Sequence, residues 1–190
     1  MSFVHLHLHT GYSLLDGMCR IEDVIEKAKS FNMPAVAITD HGALYGAFKF
    51  YSKAVEAGIK PIIGVETYKA KKSRFDKQNG IDRDQHHLTL LSKNLAGYKN
   101  LLKLVTEAHL NGFYYKPRID FELLEKYNDG LIVLSGCLNG EISSLIKENQ
   151  LDQAEKVLEK YTKIFKDDFY LEIQRHLFWR RQGQPTYKNR

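Results

Sequence analysis

Cysteine is scarce in this 190-residue chain, and the two that occur, Cys19 and Cys137, lie far apart. Two cysteines cannot build a disulfide scaffold, and their distance excludes a structural zinc site made of closely paired thiolates. Long apolar runs are also missing, as are internal repeats and a charged N-terminal region followed by an apolar stretch. We therefore expect one soluble cytoplasmic domain with no membrane contact.

Acidic side chains are absent after Glu172, whereas five basic ones follow it: Arg175, Arg180, Arg181, Lys188 and Arg190. Removing those five from the 28 Lys and Arg residues leaves 23, which equals the 23 Asp and Glu residues. The body of the chain is therefore neutral, and bulk charge does not predict the broad basic face of a duplex-DNA clamp. We expect residues 177–190 to form an irregular basic tail.

Strand and helix patterns alternate along the rest of the chain. Apolar alternation and β-branched runs predict strands at 3–9, 35–39, 61–65, 88–91, 131–134 and 169–173, and the third of these opens a longer extended stretch to about Ala70. Helical spacing of apolar residues predicts helices at 20–31, 44–57, 95–109, 121–127, 142–148 and 152–165. This alternation predicts an α/β fold with a parallel sheet, either closed into a barrel or open and doubly wound.

The first predicted strand contains three histidines, His5, His7 and His9, separated by leucines. Side chains alternate faces along a strand, so the three imidazoles are expected on one face. A single histidine on a strand is usually an ordinary surface or core residue. Three in strict alternation favour metal binding, because neutral imidazole is the commonest metal ligand.

Further polar residues follow the ends of other predicted strands: Asp40 and His41, then Glu66, then Cys137. Functional groups gather at that edge of parallel α/β folds. His87 departs from the pattern, since it lies at the start of its strand, and spacing does not explain it. Imidazole, carboxylate and thiolate together suit zinc, with manganese or iron as alternatives. Shared carboxylates favour several ions, and clustered ions suit phosphoester hydrolysis.

Several motifs together resemble the polymerase and histidinol phosphatase (PHP) family. They are HLH at 7–9, SLLDG at 13–17, TDHG at 39–42 and GVE at 64–66. Two longer motifs, GFYYKPRID at 112–120 and LSGC at 134–137, are similar to the branch of the family that forms the N-terminal domain of bacterial replicative DNA polymerases. The resemblance extends from residue 3 to about 176, and the combination is specific although each motif alone is weak.

The resemblance implies a distorted (βα)7 TIM-like barrel that holds up to three divalent ions, zinc or manganese foremost, with iron or magnesium as alternatives. Carried over by motif, the metal ligands are His7, His9, Asp16, His41, Glu66, His87 and Cys137. Glu66 would bridge two ions, one bound by His7 and His9 and the other by His87 and Cys137. Asp16 and His41 would bind the third.

The family also uses a last aspartate and, two residues later, a histidine, and no Asp-X-His follows Cys137. We therefore expect residues 1–176 to form a PHP domain truncated before its last strand, without two ligands and without a polymerase active site.

Other polar residues have weaker assignments. His5 and Asp40 are expected to orient ligands by hydrogen bonding, although Asp40 could instead be an ordinary turn residue. Possible nucleic-acid contacts are Lys69, Lys71, Lys72, Arg74, Lys116 and Arg118. The alternative is that these basic side chains are simply solvated.

The resemblance leaves three functions open. The first is a domain of a replicative DNA polymerase with metal-dependent 3′–5′ exonuclease capacity, whose partners are DNA and other polymerase domains or subunits. The second is a stand-alone phosphatase acting on a small metabolite such as histidinol phosphate. The third is a non-catalytic scaffold. The motifs at 112–120 and 134–137 favour the polymerase branch.

Overall fold

A computed structural model describes residues 3–174, so the predicted tail at 177–190 lies outside the described residues. Within this range the helices are α1 Ile21–Ser30, α2 Ala47–Glu56, α3 Leu95–Leu110, α4 Phe121–Lys126, α5 Glu141–Lys147 and α6 Leu151–Phe165, followed by a short 3-10 helix, Lys166–Asp168. The strands are β1 Ala35–Ile38, β2 Lys60–Ala70, β3 Gln85–Ser92, β4 Arg118–Ile119, β5 Leu131–Leu134 and β6 Phe169–Tyr170. The predicted α/β class is confirmed.

The helices form where apolar side chains recur at helical spacing, and in α3 and α4 a polar side chain also caps the first turn. In α1 the buried residues are Ile21, Val24, Ile25 and Ala28. The side chain of Asn94 accepts a hydrogen bond from the Gly97 backbone N–H at the start of α3. Such stripes and caps orient each helix with its apolar face on the sheet.

One strand runs against all the others. The strand order is β1-β2-β3-β5-β6, with β4 also pairing with β2. Strand β3 is antiparallel to β2 and to β5, whereas the β1–β2, β2–β4 and β5–β6 pairs are parallel. The expectation of a wholly parallel sheet is therefore wrong at β3. The physical reason is the connection at 71–84, which contains no helix. A parallel pair needs a crossover connection, usually a helix, whereas an antiparallel pair can be joined by a loop that turns back.

The predicted strand at 3–9 is an extended segment with irregular pairing. The backbone N–H groups of Ala37 and Thr39 donate to the carbonyls of His5 and Leu8. The two donors are two residues apart, whereas the two acceptors are three residues apart. The N-terminal segment therefore has one extra residue at this point, which interrupts the regular ladder as a bulge does. The expected alternation of three histidines breaks with it. His5 is exposed and its ring packs edge-on against Phe3.

The sheet curves so that its two edges approach each other. The N-terminal segment lies beyond β1, and Glu172 follows β6 at the opposite edge. Yet His7 Nδ1 lies 2.7 Å from Glu172 Oε1. His7 and Glu172 both line an open cavity of about 1770 Å³, together with the other candidate ligands and apolar side chains. None of the helices within residues 3–174 has the length and hydropathy needed to cross a membrane.

Candidate metal centre

The candidate ligands lie at one end of the strands, where the antiparallel strand β3 begins and its neighbours β2 and β5 end. Strands β1, β2, β5 and β6 all run toward this end of the sheet, and β3 begins there. His41, Cys137 and Glu172 follow β1, β5 and β6, whereas Glu66 lies within β2, which continues to Ala70. His87 therefore lies opposite Tyr68 of β2, on the same face as Glu66 two residues earlier. The position of His87 at a strand start, which spacing left unexplained, follows from the antiparallel pairing.

Glu66 is the centre of the site and is only 2% exposed. Four imidazoles converge on its carboxylate. His7 Nε2 and His87 Nδ1 lie 3.4 and 3.0 Å from Oε1. His9 Nε2 and His41 Nδ1 lie 3.1 and 3.0 Å from Oε2. Both carboxylate oxygens are therefore shared between side chains that are themselves candidate ligands.

Three overlapping groups of donor atoms result, each with its atoms within 4.8 Å of one another: His7 with His9 and Glu66, His9 with Asp16 and His41, and His41 with Glu66 and His87. The Asp16 carboxylate lies 2.8 Å from His41 Nε2. Cys137 belongs to none of these groups, but its sulfur is 3.7 Å from His87 Nδ1. The structure thus brings together six of the seven predicted ligands and places the seventh beside them.

The donor set fits a cluster of divalent ions. Imidazole nitrogens, carboxylate oxygens and a thiolate are the ligands that zinc prefers. His41 Nδ1 is buried and has no hydrogen-bond partner among residues 3–174, although Glu66 Oε2 is only 3.0 Å away. Because the geometry between His41 Nδ1 and Glu66 does not form a hydrogen bond, a cation bound by both atoms would give this nitrogen the partner that it lacks.

Protons balance the charge of Glu66 in the metal-free site. Burial lowers the pKa of His7, but hydrogen bonds to Glu172 and Glu66 outweigh it and raise the pKa to about 10. The pKa of His87 rises to about 9, because its contacts with Cys137 and Glu66 outweigh the same burial effect. Burial alone would raise the pKa of Glu66, yet the surrounding imidazoles hold it far below its ordinary value. A metal ion must therefore displace protons.

Asp40 is buried beneath the ligands. Its carboxylate accepts hydrogen bonds from the Thr10 N–H at 2.7 Å, the Thr10 hydroxyl at 2.8 Å and the Ser13 hydroxyl at 2.7 Å. The oxygen of Ser13 lies 3.1 Å from His9 Nδ1 and accepts from the His41 N–H. That Asp40 orients a ligand stays a prediction, and the same holds for His5. The route from Asp40 to His9 passes through Ser13.

Sequence reasoning missed Ser13 and Glu172 as supports of the site. Glu172 follows β6 as Glu66 follows part of β2, so the rule of strand ends could have found it. Ser13 opens the SLLDG motif at 13–17, but only Asp16 of that motif was assigned a role, since a serine in a turn is also an ordinary turn residue.

Three of the six predicted nucleic-acid contacts are wrong, because their side chains are buried and bound to protein. Lys69 is 0% exposed and its amine contacts Glu141 at 3.0 Å. Arg74 is 6% exposed and pairs with Asp120 at 2.8 Å. Arg118 is 1% exposed and donates to the backbone carbonyls of Arg74, Asp76, Asp82 and Gly112.

The other three basic residues stay predictions, since their side chains are exposed. Lys71 lies 3.4 Å from Asp84, and Lys72 lies next to it in the chain. The amine of Lys116 lies 5.2 Å from the centre of the Tyr68 ring, and that ring stacks on His41. Lys116 is therefore the basic residue of this group whose contacts lead directly to the ligands.

An α/β domain that gathers histidines around a central glutamate at one end of its sheet has the features of a metal-binding domain. The family model described as PHP domain matches residues 5–176, and the chain belongs to this family. It is similar to proteins named DNA polymerase III subunit alpha. That from Borreliella burgdorferi is 54% identical over 92% of this chain, that from Aquifex aeolicus 50% over 90%, and that from Thermus aquaticus 49% over 93%.

The chain spans about 15% of the length of these relatives. Among solved structures, it resembles a two-domain protein from Bacteroides vulgatus that contains a predicted PHP-like metal-dependent phosphoesterase. The likeness covers 83% of this chain and 48% of the other, at 15% identity and a TM-score of 0.43. That likeness is too distant to support a functional conclusion.

Proposed function

We propose that this chain is the N-terminal PHP domain of a replicative DNA polymerase and holds a cluster of divalent ions suited to phosphodiester hydrolysis. The observation that carries the proposal is the convergence of four imidazoles on the buried carboxylate of Glu66. The similarity to DNA polymerase III alpha subunits supports the polymerase context. Residues 1–176 form the domain in this proposal.

Seven residues would hold the metal, at up to three positions: His7, His9, Asp16, His41, Glu66, His87 and Cys137. The three overlapping donor groups support three positions. We propose zinc or manganese, with iron or magnesium as alternatives, because imidazole and thiolate donors favour zinc and carboxylate oxygens suit manganese. Such a cluster acidifies a bound water and neutralises charge on a phosphoryl group.

The chain's own residues supply the shape of the site. Glu66 holds its four imidazoles at fixed distances, and the buried Asp40 anchors the turn at 10–13 beneath them. Lys116, at the exposed side of Tyr68, is placed to meet a phosphate of the substrate.

The proposed partners are single-stranded DNA and the other domains or subunits of the polymerase, in the cytoplasm. Helix α2 carries an exposed apolar stripe of Phe48, Tyr51 and Val55 at helical spacing. That stripe also favours the scaffold role as a second candidate, because it could pack against polymerase domains whether or not the metal site is active.

Metal analysis of the purified chain tests the proposal. We expect at least one zinc or manganese ion per chain, and a clear loss of metal in Glu66→Gln and His41→Ala. His86→Ala is the matched control, because His86 neighbours His87 but belongs to none of the donor groups. Metal well below one ion per chain, or equal metal in Glu66→Gln, would contradict the proposal.

Activity is tested on a labelled single strand and on histidinol phosphate. Release of nucleotides from the 3′ end that disappears in Glu66→Gln but persists in His86→Ala supports a nuclease site. Degradation that survives Glu66→Gln does not come from this site. Turnover of histidinol phosphate without nuclease activity would replace the polymerase assignment with the phosphatase.

A further inference from the structure

We propose that Glu172 is a positioning residue that fixes the tautomer of His7 and so directs its Nε2 lone pair toward the metal. The inference rests on the proposed function, since it concerns the first donor group, His7 with His9 and Glu66. No motif or spacing rule assigned a role to Glu172. Its place after β6 brings the far edge of the sheet to the N-terminal segment.

The geometry at Nδ1 of His7 determines where the ring carries its hydrogen. Glu172 Oε1 lies 2.7 Å from this nitrogen, and a carboxylate only accepts hydrogen bonds. Two longer neighbours, the Thr89 hydroxyl at 3.3 Å and the Gln174 amide at 3.4 Å, compete weakly. An unprotonated Nδ1 would turn a lone pair against the carboxylate at 2.7 Å, which is repulsive. Nδ1 therefore carries the hydrogen.

The consequence lies at the other ring nitrogen. In a neutral imidazole with hydrogen on Nδ1, Nε2 carries a lone pair, and this atom lies 3.4 Å from Glu66 Oε1. A metal ion between them would receive one donor atom from each. Carboxylates that hold ligating histidines in this way raise their basicity and fix the ring orientation.

The surroundings hold Glu172 itself in place. Its backbone N–H donates to the Ser135 hydroxyl at 2.9 Å, and Gln174 Nε2 donates to its Oε1 at 2.7 Å. Its second oxygen, Oε2, is buried without a hydrogen-bond partner among residues 3–174. A buried carboxylate with so few donors depends on the His7 hydrogen, so the two side chains fix each other.

His9 shows the same arrangement built from different residues. The single hydroxyl hydrogen of Ser13 goes to Asp40 Oδ1 at 2.7 Å, so His9 Nδ1, 3.1 Å from the same oxygen, must donate. A neutral His9 with its hydrogen on Nδ1 would then offer the Nε2 lone pair to an ion shared with Glu66, whose Oε2 lies 3.1 Å away. Both histidines of the first donor group are thus prepared for metal by a carboxylate, directly in one case and through a hydroxyl in the other.

Nitrogen NMR of the histidine-labelled, zinc-loaded chain reads the tautomer directly, with His7 assigned by the loss of its signals in His7→Gln. We expect His7 to carry hydrogen on Nδ1, and hydrogen on Nε2 would overturn the inference. This readout needs no substitution at Glu172. If the chain takes up no zinc, the proposed function fails. The metal-free chain is then read near neutral pH, where a hydrogen on Nδ1 bonded to Glu172 supports the contact and a bare Nδ1 overturns the inference.

Zinc affinity of substituted chains measures what the contact contributes. We expect Glu172→Leu to weaken zinc binding by roughly 10- to 100-fold. Glu172→Gln keeps an oxygen that accepts from Nδ1, so its loss should be distinctly smaller. Glu56→Leu, at an exposed glutamate of α2, is the control and should bind like the unsubstituted chain. Equal affinity in Glu172→Leu and the unsubstituted chain would overturn the inference.

Discussion

Raising the pH of the metal-free chain from 6.5 to about 10 should weaken its fold, because the fold keeps His7 and His87 protonated beside Glu66. Their pKa values lie above the ordinary 6.5 in the folded chain. The stability they contribute is therefore fully present below pH 6.5 and is lost as the pH rises through about 9 and about 10. Glu66 has a lowered pKa, so its contribution is present above its ordinary 4.5 and is lost only in acid.

The size of the loss follows from the pKa of His7. At about 1.4 kcal/mol for each pKa unit, a rise from 6.5 to about 10 corresponds to at most about 5 kcal/mol. His7 and His87 share the charge of Glu66, so their contributions do not add in full. We expect on the order of 3–5 kcal/mol in total, which is a large part of the stability of an ordinary domain.

Zinc should reverse this trend. A bound ion replaces the protons on the imidazoles, so the stabilisation that it gives grows as the pH rises above 6.5. Urea unfolding followed by circular dichroism, with a chelator or with buffered zinc, measures both curves. His7→Gln should flatten the metal-free curve, whereas His86→Gln should not. A metal-free chain whose free energy of unfolding stays level or increases from pH 6.5 to about 10 would refute the reasoning.

Three further predictions concern single side chains. Asp120→Ala should cost on the order of 3–5 kcal/mol in urea unfolding, because it leaves the buried Arg74 with only the exposed Glu122 as its partner and removes the cap of α4, whereas the exposed Asp84→Ala should change little. Gly17→Ala should weaken metal binding, since its Cβ would lie 1.9 Å from the Thr10 carbonyl and displace Asp16; Gly11→Ala, with open space around it, should not. Lys116→Ala should reduce the slope of log binding constant against log salt concentration for single-stranded DNA by about 0.7. The control is Lys99→Ala, and equal slopes in the two variants would exclude the phosphate contact.

The ligands that follow parallel strands were the predictable part of the site. His41 follows the buried apolar strand β1, and Glu66 lies in β2 directly after its apolar run at 61–65. The direction of these parallel strands alone brings both residues to the same end of the sheet. The resemblance supplied His87, but its position could not be derived from spacing, because strand pairing between β2 and β3 is a property of tertiary structure. Glu172 was missed for a similar reason, since its partner His7 lies 165 residues away.

Burial of charged side chains was the least predictable feature. Lys69 and Arg118 belong to basic and aromatic stretches that are typical of exposed phosphate contacts. Their amine and guanidinium groups instead satisfy Glu141 and a set of loop carbonyls inside the domain. Local composition does not reveal such partners, because Glu141 and the carbonyls come from other parts of the chain. Arg118 ties together the loop at 74–82 through the carbonyls of Arg74, Asp76 and Asp82.

An anomalous-scattering map of zinc-loaded crystals of the chain tests the central claim most directly. The account predicts at least one zinc peak roughly 2.0–2.3 Å from Glu66 and from two or more of the surrounding histidine nitrogens. Zinc absent from the Glu66 carboxylate, or bound only to histidines elsewhere on the surface, would contradict it.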